Sequence, residues 1–318
     1  TCQPPDLGGI IATMTYQQLT GSRVTWINIT NITPDDVEQI RRAFPYVHPL
    51  TLEDMLSPIE RPKIDDDDDY IFVVAHFPLW DGVSRLTRAS EVDFLVSRNY
   101  IITIHDGVLK PLTQLAAAIE VNETERQSLL GRSSSHAFYV MLDRLVDYIF
   151  PILRKVDVHI RSIEEAIFSA KEDVLIRDIA LVRRDIIAQR RIIRHLVPIL
   201  DNLERKERPI IHEDLDEYFG DILDHLQRAR DIIDEDAEIM GGLAETADTL
   251  ISHRINGVIR ILTVFSVIML PLTFLTGLYG MNIELPLAEH NAAFLIVVGL
   301  MITVVVVMLT YFRYRKWL

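Results

Sequence analysis

Two long apolar segments near the C-terminus constrain this chain more than any other feature. Residues 258–278 carry one charged side chain, Arg260, and residues 292–312 carry none. Each segment has 21 residues, or about 31 Å as an α-helix, against a hydrocarbon core of about 30 Å in a bilayer. The second contains VVGLMITVVVVML, which is apolar on every side of a helix. The sequence therefore predicts two membrane-spanning helices rather than two buried core helices.

The charges divide the chain at the same place. The net charge is −14 and the mean hydropathy is +0.17. Residues 255–318 have a net charge of +2, which leaves −16 for residues 1–254. This acidic body lacks the basic face that nucleic acid requires, so a nucleic-acid-binding protein is excluded. Cys2 is the only cysteine, which excludes a disulfide framework and a cysteine-rich zinc site.

Basic residues near the apolar segments predict the orientation in the membrane. Arg313, Arg315 and Lys316 follow the second segment, whereas the loop 280–291 has no Lys or Arg. Because basic residues remain on the cytoplasmic side, both termini and the acidic body are expected in the cytoplasm. The protein is predicted to be a multi-pass protein of the cell (inner) membrane.

The first 110 residues have the pattern of a mixed α/β fold. Four β-rich runs have the length of strands: VTWINI, YIFVVAHF, EVDFLVS and YIITIH. TPDDVEQIRRAF predicts a helix with Thr33 as its N-cap and Pro34 at its first position, and HPLTLEDMLS predicts a shorter helix. A sheet covered by helices is expected.

Every element after Pro111 is predicted to be helical. One helix is expected from Ser133 toward Ala170, a second from Asp173 to about Lys206, and a third from Asp214 to Leu278. The third would have 65 residues, or about 100 Å. A single chain cannot bury a helix of that length, so its partners are expected to be copies of the same helix.

These patterns predict an α/β cytoplasmic domain, long helices and two C-terminal transmembrane helices. The predicted divisions are an α/β domain (1–132), a helical hairpin (133–211), a stalk helix that continues into the first span (212–280), an extracytoplasmic loop (281–291), a second span (292–312) and a basic tail (313–318).

Three polar motifs have simpler interpretations than catalysis. The run Asp65–Asp69 follows a Pro and precedes a strand, so we interpret it as a solvated loop rather than a metal-diphosphate site. His105-Asp106 ends a strand and lacks the partner histidines of a metal phosphohydrolase. The arginines of 183–194 lie among acids on a predicted helix and are interpreted as a solvated or ion-paired helix face. No Gly-rich phosphate loop is present, and the chain is predicted not to be an enzyme.

One face of the first span collects small and hydroxyl side chains. They recur at spacings of three and four, which places them on one side of a helix: Asn256, Ile259, Thr263, Ser266, Leu270, Thr273, Gly277 and Gly280. Two interpretations remain open, namely close packing of helices through small residues and a water-lined pore in a symmetric oligomer. Both require this helix to meet other helices.

The end of this face carries a family resemblance. GLYGMN follows a span that contains MLPLTF, and the second span ends in the basic FRYRKWL. In this position the motif resembles that of the CorA family of magnesium transporters. The loop that follows, IELPLAEHNAA, lacks the Met-Pro-Glu-Leu of many members, so the preferred metal stays open. The ZntB zinc transporters share this architecture and are the alternative family.

The resemblance implies a funnel-shaped homopentamer that admits Mg²⁺, with Co²⁺ and Ni²⁺ as further candidates, down the membrane potential. It implies a selectivity loop formed by Tyr279, Gly280, Met281 and Asn282. It also implies an amide ring at Asn256 and apolar constrictions at Ile259, Leu262 and Leu270. The resemblance selects Leu262, whereas the strict spacing selects the neighbouring Thr263.

The resemblance further implies gating by cytoplasmic Mg²⁺ bound between neighbouring subunits. Asp221 in YFGDILDH matches the family's acidic position on the long helix, and Asp81 in PLWDG is the expected partner across the interface. The alternative is that both are ordinary surface acids. The implied partners are divalent cations, the lipid bilayer and further copies of the chain, with no organic cofactor. A non-conducting, membrane-anchored cation sensor is the alternative from a different functional class.

Overall fold

The computed structural model describes residues 16–57, 59–168, 172–206, 208–211, 216–281, 292–315 and 317. The chain divides into two compact units, Thr1–Leu243 and Ala244–Leu318. The first unit contains a helix-covered β-sheet, and the second contains two apolar helical segments. The predicted fold class, an α/β body followed by long helices and two apolar C-terminal helices, is confirmed.

Among the described residues, the sheet has six strands in the order β1-β2-β6-β5-β4-β3. Their bounds are β1 Tyr16–Thr20, β2 Thr25–Thr30, β3 Lys63–Asp66, β4 Tyr70–Asp81, β5 Leu86–Ser97 and β6 Tyr100–His105. β2 and β6 pair in parallel and the other neighbours are antiparallel. The four β-rich runs of the sequence form β2, β4, β5 and β6. The short edge strands β1 and β3 were not predicted.

Two helices cover one face of the sheet, α1 (Pro34–Ala43) and α2 (Pro49–Asp54). Thr33 caps α1 as predicted: its hydroxyl accepts a hydrogen bond from the Asp36 amide, and the Asp36 carboxylate accepts one from the Thr33 amide at 2.8 Å. The core on this side joins both helices to the strands. It includes Val37, Ile40, Phe44, Leu52, Met55, Phe72, Val74, Leu95 and Ile104.

Helices that follow the sheet in sequence pack on its other side. They are α3 Lys110–Val121, α4 Glu123–Leu130, α5 Ser134–Asp147, α6 Ile149–Ala166 and α7 Glu172–Arg205. Phe138 of α5 packs edge-on against Phe94 of β5, with ring centroids 5.2 Å apart. The buried Asp185 of α7 accepts a hydrogen bond of 2.5 Å from the Thr87 amide of β5. These contacts fix α5 and α7 on the sheet.

The helix predicted from Ser133 toward Ala170 is divided in two. Ser133 caps α5, but the helix ends at Asp147 and α6 begins at Ile149. Pro151 explains the break, because it has no amide for the Asp147 carbonyl and its ring crowds that carbonyl. α6 ends at Ala166, and Ala170 lies outside the described residues.

The interpretation of Asp65–Asp69 as a solvated loop is partly wrong. Asp65 and Asp66 belong to the edge strand β3. The Asp66 carboxylate lies 2.5 Å from Nε of Arg208, whose side chain is 2% exposed, and 2.7 Å from Nζ of Lys206. This ion pair fixes the segment after α7 to the sheet edge, and it arises between residues 142 positions apart.

Two further helices complete the described chain: α8 (Asp216–Tyr279, 64 residues) and α9 (Ala293–Tyr314, 22 residues). α8 is about 96 Å long and continues through Gly241, Gly242 and Pro271. Among the described residues, the chain buries 6% of the most apolar stretch of α8. It buries none of the most apolar stretch of α9. Apolar surface of this extent requires lipid or other chains to cover it.

Candidate cation sites

The predicted pore residues lie on the part of α8 that forms the second unit. Ile259, Leu262 and Leu270 are 54%, 60% and 73% exposed. Asn256, Ser266, Thr273 and Gly277 are also exposed, and Thr263 is half-buried. The chain itself therefore leaves this face largely uncovered, as both interpretations of the stripe require.

Two hydroxyl groups on this face point their protons into the helix. Oγ1 of Thr263 donates to the carbonyl oxygen of Ile259 at 2.8 Å, and Oγ1 of Thr273 donates to that of Met269 at 2.8 Å. Since each proton is used within the helix, the hydroxyl oxygens have lone pairs left over as acceptors. Such oxygens suit a passing cation and its waters.

The end of α8 requires a glycine at position 280. The Gly280 amide donates to the Thr276 carbonyl at 2.9 Å, and a Cβ added at Gly280 would lie 2.9 Å from that same oxygen. Any larger residue would force the backbone to shift. Tyr279 and Met281 are exposed on either side, whereas Asn282, the last residue of the predicted selectivity loop, lies outside the described residues.

A polar recess of about 270 Å³ runs along α8 before the pore face. Its residues repeat at spacings of three and four: Glu245, Asp248, Thr249, Ser252 and Asn256, with His253 beside them. We did not predict this extension from the sequence, although the spacing that revealed the pore face continues through it. The uncovered polar face of α8 thus begins well before Asn256.

The first unit contains a group of metal-ligand residues beside Asp221. One ligand atom from each of Asp143, Asp147 and His225 lies within 4.8 Å of the others. Nδ1 of His225 is buried without a hydrogen-bond partner among the described residues. It lies 3.4 Å from an oxygen of Asp147. Two carboxylates and an unpartnered imidazole nitrogen form a donor set suited to a divalent cation.

The electrostatics of this group favour a cation. Burial, and then the Asp147 carboxylate, raises the pKa of Asp143, and the exposed Asp221 adds to the shift. Like charges held this close are relieved by a bound cation. The sequence analysis identified Asp221 but missed the three residues beside it. Asp143 and Asp147 are four apart, which places them on one face of α5 and was an available signal.

Asp81 is at a different place. It is the last residue of β4 and is half-buried at the turn to β5, where it accepts hydrogen bonds from the Ser84 hydroxyl at 2.6 Å and the Val83 amide at 2.9 Å. The Ser84 hydroxyl and the Val83 amide lower the pKa of Asp81. Asp81 is not a member of the group formed by Asp143, Asp147 and His225. The expected pairing of Asp81 with Asp221 is an intersubunit prediction that one chain does not test.

His105 has a structural role. It is 4% exposed, its Nε2 lies 2.8 Å from Oδ1 of Asn28, and its Nδ1 accepts from the Gly107 amide at 3.0 Å. Burial lowers the pKa of His105 to about 4. Because both ring nitrogens are engaged and the ring stays neutral, His105 is not available as a metal ligand. On the predicted arginine face, Arg190 pairs with Asp234 of α8 at 2.7 Å.

Comparison with known proteins identifies the family. The family model described as CorA-like Mg²⁺ transporter protein matches residues 21–315. The cobalt/magnesium transport protein CorA of Thermotoga maritima is 30% identical over 298 residues, covering 93% of this chain and 84% of that protein.

Solved structures agree on the fold. The complete structure of the CorA magnesium transporter from Methanocaldococcus jannaschii has a TM-score of 0.84 at 20% identity, covering 97% of this chain and all of that chain. The full-length CmaX protein has a TM-score of 0.68 at 19% identity, covering 92% of this chain and 89% of that chain. The chain therefore belongs to the CorA-like Mg²⁺ transporter family, which makes it a membrane transporter of divalent cations rather than an enzyme.

Proposed function

We propose that this protein is the subunit of a homopentameric channel that admits Mg²⁺ to the cytoplasm, with the polar face of α8 lining the pore. The observation that carries this proposal is the uncovered face of α8, on which amide, hydroxyl and glycine positions alternate with exposed apolar residues. Copies of this helix around a common axis would cover the face and enclose a path for the ion. The Thermotoga maritima relative is a cobalt/magnesium transport protein, which makes Co²⁺ a second candidate ion.

The proposed topology places both termini and the acidic body in the cytoplasm. It is supported by Arg313 and Arg315 directly after the second span and by the absence of basic residues from the loop 280–291. A membrane potential of 100 mV, negative inside, would then drive inward movement with about 2.3 kcal/mol per charge, or about 4.6 kcal/mol for a divalent ion. Hydrolysis of a bond is not needed.

The loop Tyr279–Asn282 is the proposed selectivity site. Mg²⁺ releases its waters reluctantly and prefers oxygen ligands, so a capture site should bind the hydrated ion. The Asn282 amide and the Gly280 carbonyl offer dipoles to those waters without a fixed charge that would retain the ion. Glycine at position 280 keeps the backbone at the start of this loop in place, because an added Cβ would meet the Thr276 carbonyl oxygen at 2.9 Å.

Apolar side chains are the proposed gate. Ile259, Leu262 and Leu270 would form successive rings that exclude water while the pore is closed. Leu262 is 60% exposed and Thr263 is half-buried with its proton used in the helix. This difference supports Leu262 as the constriction, and Thr263 then contributes only its hydroxyl oxygen.

Cytoplasmic Mg²⁺ is the proposed regulator. Asp143, Asp147 and His225 would hold an ion next to Asp221, and Asp81 of an adjacent subunit would complete the intersubunit contact. The ion controls the pore only if it binds the closed state more tightly than the open state. With the ion lost, like charges on neighbouring subunits repel and the closed assembly loosens.

Purified protein in liposomes tests the function. The liposomes would contain a Mg²⁺-sensitive dye, with an inward-negative potential and Zn²⁺, Co²⁺ or Ni²⁺ as competitors. We expect Mg²⁺ influx that rises with the potential. Selective Zn²⁺ movement would favour the ZntB-like alternative, and no flux of any divalent ion would favour the non-conducting sensor.

A further inference from the structure

A cavity of about 470 Å³ opens between the end of α2 and the strands β4, β5 and β6. It lies within the first unit and contains none of the residues assigned above to transport or regulation. Its lining combines apolar side chains, including Met55, Leu56 and Ile59, with titratable ones, including His76, Glu91 and Asp93. Nothing in the proposed function uses this cavity.

Asp93 is the unexplained residue of the cavity. Its side chain is 3% exposed, and its Oδ1 has no hydrogen-bond partner among the described residues. Asp93 pairs with Val74 and Ile104 in the sheet, so it shares their helix-covered face. A buried carboxyl oxygen without a partner is costly. It therefore indicates a ligand that completes the site.

The neighbours of Asp93 make the cavity attractive to positive charge. Oε2 of Glu91 is held by the Glu60 amide at 2.7 Å and by Nε2 of His76 at 2.9 Å. Burial, and then Glu91, Asp54 and Glu60, raises the pKa of Asp93 to about 8.

The basic groups nearby do not neutralise this acidity. Lys63 lowers the pKa of Asp93 but is itself held by Asp54 at 2.6 Å and Asp65 at 2.9 Å. Arg88 lies 3.6 Å from Asp106. The buried His105 remains neutral, because burial lowers its pKa to about 4.

The lining favours an organic cation over a metal ion. Among the described residues, the metal-ligand group of three lies at Asp143, Asp147 and His225, and the residues of this cavity do not form one. Met55, Leu56 and Ile59 give one side of the cavity an apolar surface that neither a bare nor a hydrated metal ion would use. An alkyl chain would pack there, and its ammonium group would reach the acid.

We propose that this cavity binds a small primary alkylammonium ion, whose ammonium group donates to the unpartnered oxygen of Asp93 while its methylene chain packs on Met55, Leu56 and Ile59. The ammonium group would stabilise the Asp93 carboxylate, so the acid releases its proton as the ligand binds. The affinity should therefore rise up to tenfold per pH unit below about pH 8 and become constant above it. This inference does not depend on the pore.

Calorimetric titration of the whole chain in detergent tests the proposal, with 1,4-diaminobutane and butylamine as probes, and butanol and MgCl₂ as comparisons. We expect one site for the amines and none for butanol. Titrations at pH 6.5 in two buffers of different ionisation enthalpy should show close to one proton released per amine. At pH 8.5 the release should be small.

Two variants locate the site, and a third is the control. Asp93→Asn keeps the side-chain volume but removes the carboxylate, and it should weaken amine binding at least tenfold. Leu56→Lys, at a partly exposed position, should weaken binding as much because it places a cation at the cavity. Asp68→Asn, at an exposed acid outside the cavity, should bind as wild type does. Equal amine affinity in wild type and both cavity variants, or no amine binding at all, would overturn the proposal. Loss of Mg²⁺ binding in Asp93→Asn would assign the cavity to a metal ion instead.

Discussion

Nδ1 of His225 on α8 lies 3.4 Å from Oδ1 of Asp147, the last residue of α5. The two residues are 78 positions apart, yet with Asp143 they form the metal-ligand group of the first unit. α8 also carries the proposed pore face farther along its length. A cation held by His225 would therefore act on the same helix that carries the proposed pore face.

Replacement of His225 by Ala should remove most of the Mg²⁺-dependent protection of the first unit against protease. The imidazole nitrogen is one of three ligand atoms, and removal of one ligand weakens a site of this kind by about tenfold or more. The measurement is the rate of limited proteolysis as a function of Mg²⁺. Asp231→Asn, at an exposed acid on the same helix, is the control and should retain full protection.

Acidification should weaken the same site. Because the pKa of Asp143 is raised by burial and by Asp147, a proton competes with Mg²⁺ at a higher pH than at an ordinary Asp. More Mg²⁺ should be needed for half-maximal protection as the pH falls toward 5. Asp143→Asn should bind weakly at every pH, and an unchanged pH profile in that variant would contradict the assignment.

The double variant Asp81→Asn, Asp221→Asn tests the intersubunit contact. It removes repulsion between subunits, so the closed packing should persist without Mg²⁺ and the protease sensitivity should become independent of the ion. The side-chain amide introduced at position 81 still offers its oxygen to the Val83 amide, and its NH₂ group can donate to the Ser84 hydroxyl oxygen, so the β4–β5 turn should survive. Protection by Mg²⁺ of equal size in wild type and the double variant would show that the sensing acids lie elsewhere.

Substitution of Gly280 or Asn282 by Ala should abolish Mg²⁺ influx and leave the protein folded. At position 280 the added Cβ would lie 2.9 Å from the Thr276 carbonyl, which would displace the backbone of the proposed selectivity loop. Gly299→Ala in the second span is the matched control, because nothing lies within 4 Å of its added Cβ. Influx at a near-normal rate in either loop variant would refute the assignment of the loop.

A polar residue at Leu270 should produce a leaky pore. Asn at this exposed position of α8 would hold water in the proposed constriction and prevent it from drying in the closed state. Resting ion flux in liposomes at high Mg²⁺ should rise severalfold. Leu270→Met keeps the site apolar at similar volume and should stay closed. Unchanged resting flux in Leu270→Asn and Ile259→Asn would mean that this face packs rather than conducts.

The free energy of unfolding should depend on pH through Asp93. Its pKa is raised from 3.8 to about 8 in the folded protein, so between those values the folded state binds the proton more readily than the unfolded state. This contribution to stability should fall by up to about 1.4 kcal/mol per unit as the pH rises through that window. Thermal unfolding of wild type and Asp93→Asn from pH 5 to 9 would measure it. The Asp93→Asn variant should lack this decrease, so its free energy of unfolding should rise relative to that of wild type as the pH increases.

The amino-acid sequence was sufficient for features that depend on one segment. The two apolar segments, the Thr33 cap of α1 and the stripe on α8 each follow from a local pattern. A helix places residues three and four apart on one face whatever surrounds it. Family membership likewise rests on residues 21–315 as a linear pattern.

The edge strands and the break at Tyr148 show where local patterns were insufficient or were overlooked. Pro151 was an available signal for the break between α5 and α6. It was overlooked because the helical periodicity continues on both sides of it. Asp65 and Asp66 have low strand propensity, and pairing with β4 and an ion pair with Arg208 place them in the sheet. Tertiary contacts overrode the local preference there.

Only the tertiary structure brought together Asp143, Asp147 and His225, and only it revealed Asp93 with an unpartnered oxygen at a cavity. Backbone hydrogen bonds determine the spacing within one helix, so a linear pattern can reveal which residues share its face. Which faces of α5 and α8 meet depends on the packing of buried side chains such as Phe138 and Phe219. That packing is decided by the whole chain, because each contact joins segments that are distant in the sequence.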